Sequence, residues 1–109
     1  MGEPAFDLVA LGTALSDGLD EVSLSDDVGT VTYARGGTTF ARASASLLEV
    51  RLPVDIAEAA LRTSDTSAGD GPGWVRFEPR DAERHVIDRA EAWFQTAWRH
   101  AADTSGGRT

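Results

Sequence analysis

His85 and His100 are the only imidazoles in the sequence, and cysteine is absent. Fifteen residues apart on one expected helix, the two histidines stand roughly 22 Å from each other at 1.5 Å per residue, so they cannot share a metal ion. Both fall off the apolar face of that helix and read as solvated surface residues. The lack of cysteine excludes disulfides, thiolate catalysis and cysteine-rich zinc sites. No HExxH or GxSxG motif is present. Gly36-Gly37 reads as a turn, and Gly69 to Gly73 lies ahead of a strand, where a phosphate loop would lie ahead of a helix. Asp26-Asp27, with Asp20 and Glu21 nearby, lacks the ligand spacing of a calcium loop and reads as a solvated turn. No residue is singled out as catalytic, metal-binding or cofactor-binding, and no cofactor is expected.

The arginines carry more information. Arg42, Arg51 and Arg76 fall on three expected strands, and alternation points all three away from the core. Glu49, Glu78 and Trp74 share that outward phase. One reading is a solvated sheet face with cross-strand ion pairs, each worth well under about 1 kcal/mol. The other is a docking surface for an anion or a partner, with Trp74 as its aromatic centre, because Trp and Arg are the usual anchors of interfaces. Trp74, Arg76, Arg42 and Arg51 are the candidate interaction residues.

The elements that must position them can be read from periodicity. Residues 4–18 read as a helix, with Pro4 in its first turn, a loose stripe of Phe6, Val9, Leu11 and Leu15, and Gly18 at its end. Gly12 inside that pattern weakens it by about 1 kcal/mol relative to alanine. Strands are expected at 21–24, 30–34, 38–44 and 47–52, with Asp26 to Gly29 and Arg35-Gly36-Gly37 as turns. Short connections make these four an antiparallel meander. Pro53 opens a short helix over 54–62, with Ile56, Ala57, Ala60 and Leu61 on its apolar face. Residues 63–72 carry no large apolar side chain and read as a mobile loop. Gly73 to Pro79 then alternates as a strand, with Val75 and Phe77 inward.

Pro79 ends that strand, and Asp81 can cap a helix beginning there. Val86, Ile87, Ala90, Trp93, Phe94, Ala97, Trp98 and Ala101 form one broad apolar face of this long helix over 81–102. The expectation is a single α+β domain over residues 1–109, ordered over about 4–102 with a flexible tail at 103–109. Its sheet is mostly antiparallel with four to five strands, and helices pack on one face in the order helix-β-β-β-β-helix-β-long helix.

At 109 residues and a net charge of −8, the chain is long enough for one modest core. The charge is uneven: seven acids and no arginine lie up to Thr30, four arginines face five acids from Val31 to Gly73, and six face six thereafter. This field repels phosphate backbones and disfavours nucleic acid as a partner. Every cation is arginine, which we read as the codon bias of a GC-rich genome, with adaptation to high salt as the alternative. No apolar run approaches the roughly 20 residues needed to cross a bilayer, and no signal-peptide pattern comes after Met1, so a soluble cytoplasmic protein is expected.

A family resemblance adds to this. Gly29-Thr30-Val31-Thr32-Tyr33, Thr38-Thr39-Phe40-Ala41, Leu48-Glu49-Val50-Arg51-Leu52-Pro53 and Gly73-Trp74-Val75-Arg76-Phe77 before a long helix resemble a bacterial and archaeal family. Its members are labelled luciferase-family or luciferase-domain proteins. The likeness runs from about Gly18 to Ala102, and Gly-Trp-Val ahead of a helix is its most specific part. More remotely, the element order is similar to small domains of the MmcQ/YjbR type, which implies a double-winged fold and DNA binding. Flavin-dependent luciferases are far longer barrels, and nothing here resembles a flavin site. Family members commonly carry histidines after the third strand and before Gly-Trp. Here Ala41 to Ser46 and Thr66 to Asp70 hold none, which lowers an enzyme assignment.

Three functions are expected on these grounds. The first is a non-catalytic module that binds a protein partner or a second copy of itself on the outer sheet face around Trp74. The second is a small-ligand or enzyme pocket between the sheet and the 63–73 loop. The third is nucleic-acid binding by analogy with the double-winged domains.

Overall fold

The computed structural model of the chain describes residues 7–69, 71–79 and 84–106. Pro4 and Phe6, the capping role given to Asp81, and residues 107–109 of the expected tail lie outside the described residues. Among those described, the order is α1 (Leu8–Asp17), β1 (Val22–Asp27), β2 (Thr30–Arg35), β3 (Thr38–Ala43), β4 (Leu48–Arg51), α2 (Val54–Ala60), β5 (Thr66–Ala68), β6 (Trp74–Phe77) and α3 (Arg84–Gly106). All six strands join one antiparallel sheet in the order β1-β2-β3-β4-β6-β5. The α+β class and the initial meander agree with the sequence reading.

Several details differ from it, among them β1, which runs on to Asp27 through residues read as a turn because Asp26 and Asp27 pair with Val31 and Thr30. The expected 63–72 loop contains β5, a short edge strand held by main-chain pairing: Thr66 lies opposite Phe77 and Ala68 opposite Val75. The helix read from residue 4 has its cap at Asp7, whose carboxylate accepts the Val9 N–H at 2.9 Å. Its buried stripe is Leu8, Gly12 and Ser16, with Val9, Leu11 and Leu15 packed only partly against the core. In α2 only Ala57 and Ala60 are buried, while Ile56 and Leu61 flank them and remain 38% exposed. Finally, α3 continues to Gly106, four residues into the stretch read as a tail.

The core lies between the sheet's inner face and the helices. Tyr33, Ala41, Val50 and Val75 form one inward row across β2, β3, β4 and β6, and Val31, Ala43, Leu48 and Phe77 form the next. A register shift leaves Phe40 without an opposite residue, so consecutive Phe40 and Ala41 are both buried. α3 supplies Val86, Ala90, Phe94, Ala97 and Ala101. Phe94 meets Tyr33 and Phe40 edge-on, with ring centroids 5.1 and 5.3 Å apart.

Trp93 and Trp98, expected in the core, lie half-buried at its rim and act as fasteners. Arg35 stacks 3.8 Å over the Trp98 ring and donates to the Trp98 carbonyl at 3.2 Å. The Trp98 indole N–H donates to the Asp20 carbonyl at 2.9 Å. Arg89, over the rings of Phe77 and Trp93, donates to the Ser64 carbonyl at 2.7 Å.

Candidate interaction surface on the outer sheet face

With helices on the inner side, the opposite phase of each strand forms the outer face. Register places Ser25, Thr32, Arg42, Glu49, Arg76 and Ser67 in one line across all six strands. Arg51 and Trp74 lie opposite one another in the neighbouring position of β4 and β6. Arg42, Arg51, Arg76 and Trp74, picked from alternation alone, therefore stand around Glu49. Their proximity depends on β6 inserting beside β4, because the strand that precedes β6 in the chain is placed outside it.

Local chain geometry fixes Trp74. Gly73 has φ +83°, and a Cβ there would run into the Leu52 carbonyl oxygen. That approach lets the Leu52 N–H donate to the Gly73 carbonyl at 2.8 Å. On the other side the Gly69 N–H donates to the Trp74 carbonyl at 2.8 Å, and the Trp74 N–H donates to the Gly71 carbonyl at 3.1 Å. The glycine-rich segment is thus hydrogen-bonded down onto β4 and β6.

The side chains form a compact charged group. Glu49 is 15% exposed and lies between two guanidiniums, with Arg42 Nε 3.6 Å from Oε1 and Arg76 Nε 3.8 Å from Oε2. The Arg42 guanidinium also lies 4.9 Å from the centre of the Trp74 ring. At these distances and partial exposures each ion pair contributes at most about 1 kcal/mol. The cation–π contact adds about 0.5–1 kcal/mol. The fold does not depend on them, but together they hold two arginines and a tryptophan in one orientation, which lowers the ordering cost of binding.

A depression of about 80 Å³ adjoins this group, lined by Thr30, Arg42, Ala43, Ser44, Leu47 and Glu49. Thr30, Ser44 and Leu47 were not singled out from the sequence: β2–β3 pairing brings Thr30 to Arg42, and the turn in which the Ser44 N–H donates to the Leu47 carbonyl brings Leu47. His85 and His100 lie on α3 as expected, and no group of three or more His, Asp or Glu among the described residues is placed to hold a metal ion. Asp26 and Asp27 end β1, opposite Val31 and Thr30. No helix among the described residues is long and apolar enough to cross a membrane. Comparison with protein-family models, curated proteins and solved structures finds no match to this chain.

Proposed function

We propose that this chain is a non-catalytic protein-interaction domain that docks an acidic partner segment on the outer face of its sheet. Trp74 supplies the flat apolar contact, and Arg42, Arg51 and Arg76 supply the charge. The observation that carries the reading is Arg42, held between the Trp74 ring and Glu49 in the same row as Arg76. Three arginines against Glu49 and Glu78 leave this patch one charge positive within a chain of net charge −8. Such a contrast favours an acidic partner and steers its approach. The reading needs no cofactor, and a cytoplasmic setting is part of the proposal. Kinship with the luciferase-domain-named proteins is likewise a proposal, supported by the Gly73-Trp74-Val75 strand ahead of a long helix.

The test is an NMR titration of the ¹⁵N-labelled protein with a short peptide alternating Asp and Val, and with a control alternating Lys and Val. Saturable shifts of the Trp74 indole N–H and of the Arg42 and Arg76 amides with the acidic peptide alone support the reading. The R42A/R76A variant should lose them. Resonances that stay in place at millimolar acidic peptide would refute it.

A further inference from the structure

The β1–β2 hairpin tip does not suit its own turn. Val28 and Gly29 lie between the paired residues Asp27 and Thr30, and both have positive φ, 50° and 84°. This is the conformation of a type I′ turn, whose first position favours asparagine or glycine. A β-branched residue there is a conformational outlier. Val28 is also 97% exposed, the most exposed large apolar residue described. Neither the turn nor packing within the chain accounts for a valine at this point. Two carboxylates, Asp26 and Asp27, precede it directly.

The depression beside Arg42 offers what this tip lacks. Its volume of about 80 Å³ leaves room for one small branched side chain. Ala43 and Leu47 give it apolar lining, and Arg42 stands at its wall. It lies at the same end of the sheet as the tip, because Thr30, two residues from Val28, is part of it.

We infer that the occupant of the Arg42–Trp74 face is a second copy of this chain. Each copy seats Val28 in the other's depression and brings Asp27, which shares the outer phase with Thr30, to the other's Arg42 and Arg76. The inference rests on the docking role proposed for that face and names its partner. Charge favours it: the chain up to Thr30 holds seven acids and no arginine, while the receiving face gathers three arginines. Tip and depression are close within one chain, so a two-fold axis between copies satisfies both contacts at once and closes the assembly as a dimer. Two such small contacts make an interface at the weak, transient end of the size range.

The test is sedimentation of the full chain from about 10 µM to about 1 mM, a range that captures a weak dimer. The mass should rise from 11.6 kDa toward twice that value, and added salt should suppress the rise. Val28→Asn installs the Asn-Gly pair favoured by the turn. It should raise Tm while weakening association at least tenfold, a pair of effects that damage to the fold would not produce. D27N and R42A/R76A should each weaken association too. A monomeric wild-type chain at the highest concentration overturns the inference, and the peptide titration then decides the docking role separately. If V28N associates like wild type while R42A/R76A does not, the tip is excluded and the face retained.

Discussion

Replacing Gly12 with alanine pits two effects of similar size against each other. Glycine within a helix costs about 1 kcal/mol relative to alanine, so propensity alone makes Gly12→Ala stabilising. The structure reverses the sign. A Cβ on Gly12 would stand 2.6 Å from the Tyr33 hydroxyl oxygen and 2.9 Å from its Cζ. Tyr33 cannot retreat freely, since it is fully buried, lies edge-on to Phe94 and donates to the Val9 carbonyl at 3.2 Å. Overpacking of this kind costs about 1–3 kcal/mol. Displacing the hydroxyl loses a hydrogen bond worth about 1 kcal/mol more. Against the propensity gain, the net is a destabilisation of about 1–3 kcal/mol, or a fall in Tm of roughly 5–15 °C for a domain of this size. Thermal unfolding followed by circular dichroism measures it. The same substitution in a Tyr33→Phe background should cost less, by at least about 0.5 kcal/mol, because the nearest atom is gone. A Tm that is unchanged or raised by Gly12→Ala in the wild-type background would refute the reasoning.

Other parts of the fold give two further expected outcomes. Burial raises the Tyr33 pKa above the usual phenol value of 10.0, an effect the Thr13 hydrogen bond only partly opposes. The folded chain therefore holds a proton that the unfolded chain has released, and Tyr33's contribution to stability is intact below pH 10 and lost as pH rises through the folded value. Tyr33 is the only tyrosine, so a near-ultraviolet phenolate titration reads it directly; titration at the ordinary value in the folded protein would contradict this. Gly73→Ala combines a positive φ with a clash against the Leu52 carbonyl, and about 2–4 kcal/mol of stability should be lost in denaturant unfolding. A loss below about 0.5 kcal/mol, within the range of ordinary surface substitutions, would show that the segment adapts.

Much of the scaffold was legible because it obeys one period at a time. Val75 and Phe77, or Leu48, Val50 and Leu52, show strand alternation, and the α3 residues from Val86 to Ala101 show the helical repeat. The outward phase of Arg42, Arg51, Arg76 and Trp74 came from the same rule. The illegible features depend on contacts between segments. Thr66-Ser67-Ala68 has no large apolar residue, and only the β6 main chain makes it a strand. Glu49 becomes the shared neighbour of Arg42 and Arg76 because β6 lies between β4 and β5, a choice of neighbour that alternation does not encode. Gly12 looked like a weak point in a helix until Tyr33, twenty-one residues later, explained it. The α2 stripe misled for the opposite reason: apolar residues all around a short helix leave the pattern unable to say which of them face inward.

The place of α3 in the chain has a consequence for synthesis. It packs against β2, β3 and β4, yet it comes after every strand it covers. At about 5–20 residues per second, its 23 residues take roughly one to five seconds to be made. Throughout that interval the strands already made have no Phe94 to cover Tyr33 and Phe40. The nascent chain thus passes through a stage whose apolar face is open to chaperones, and to other nascent chains, before α3 can close it.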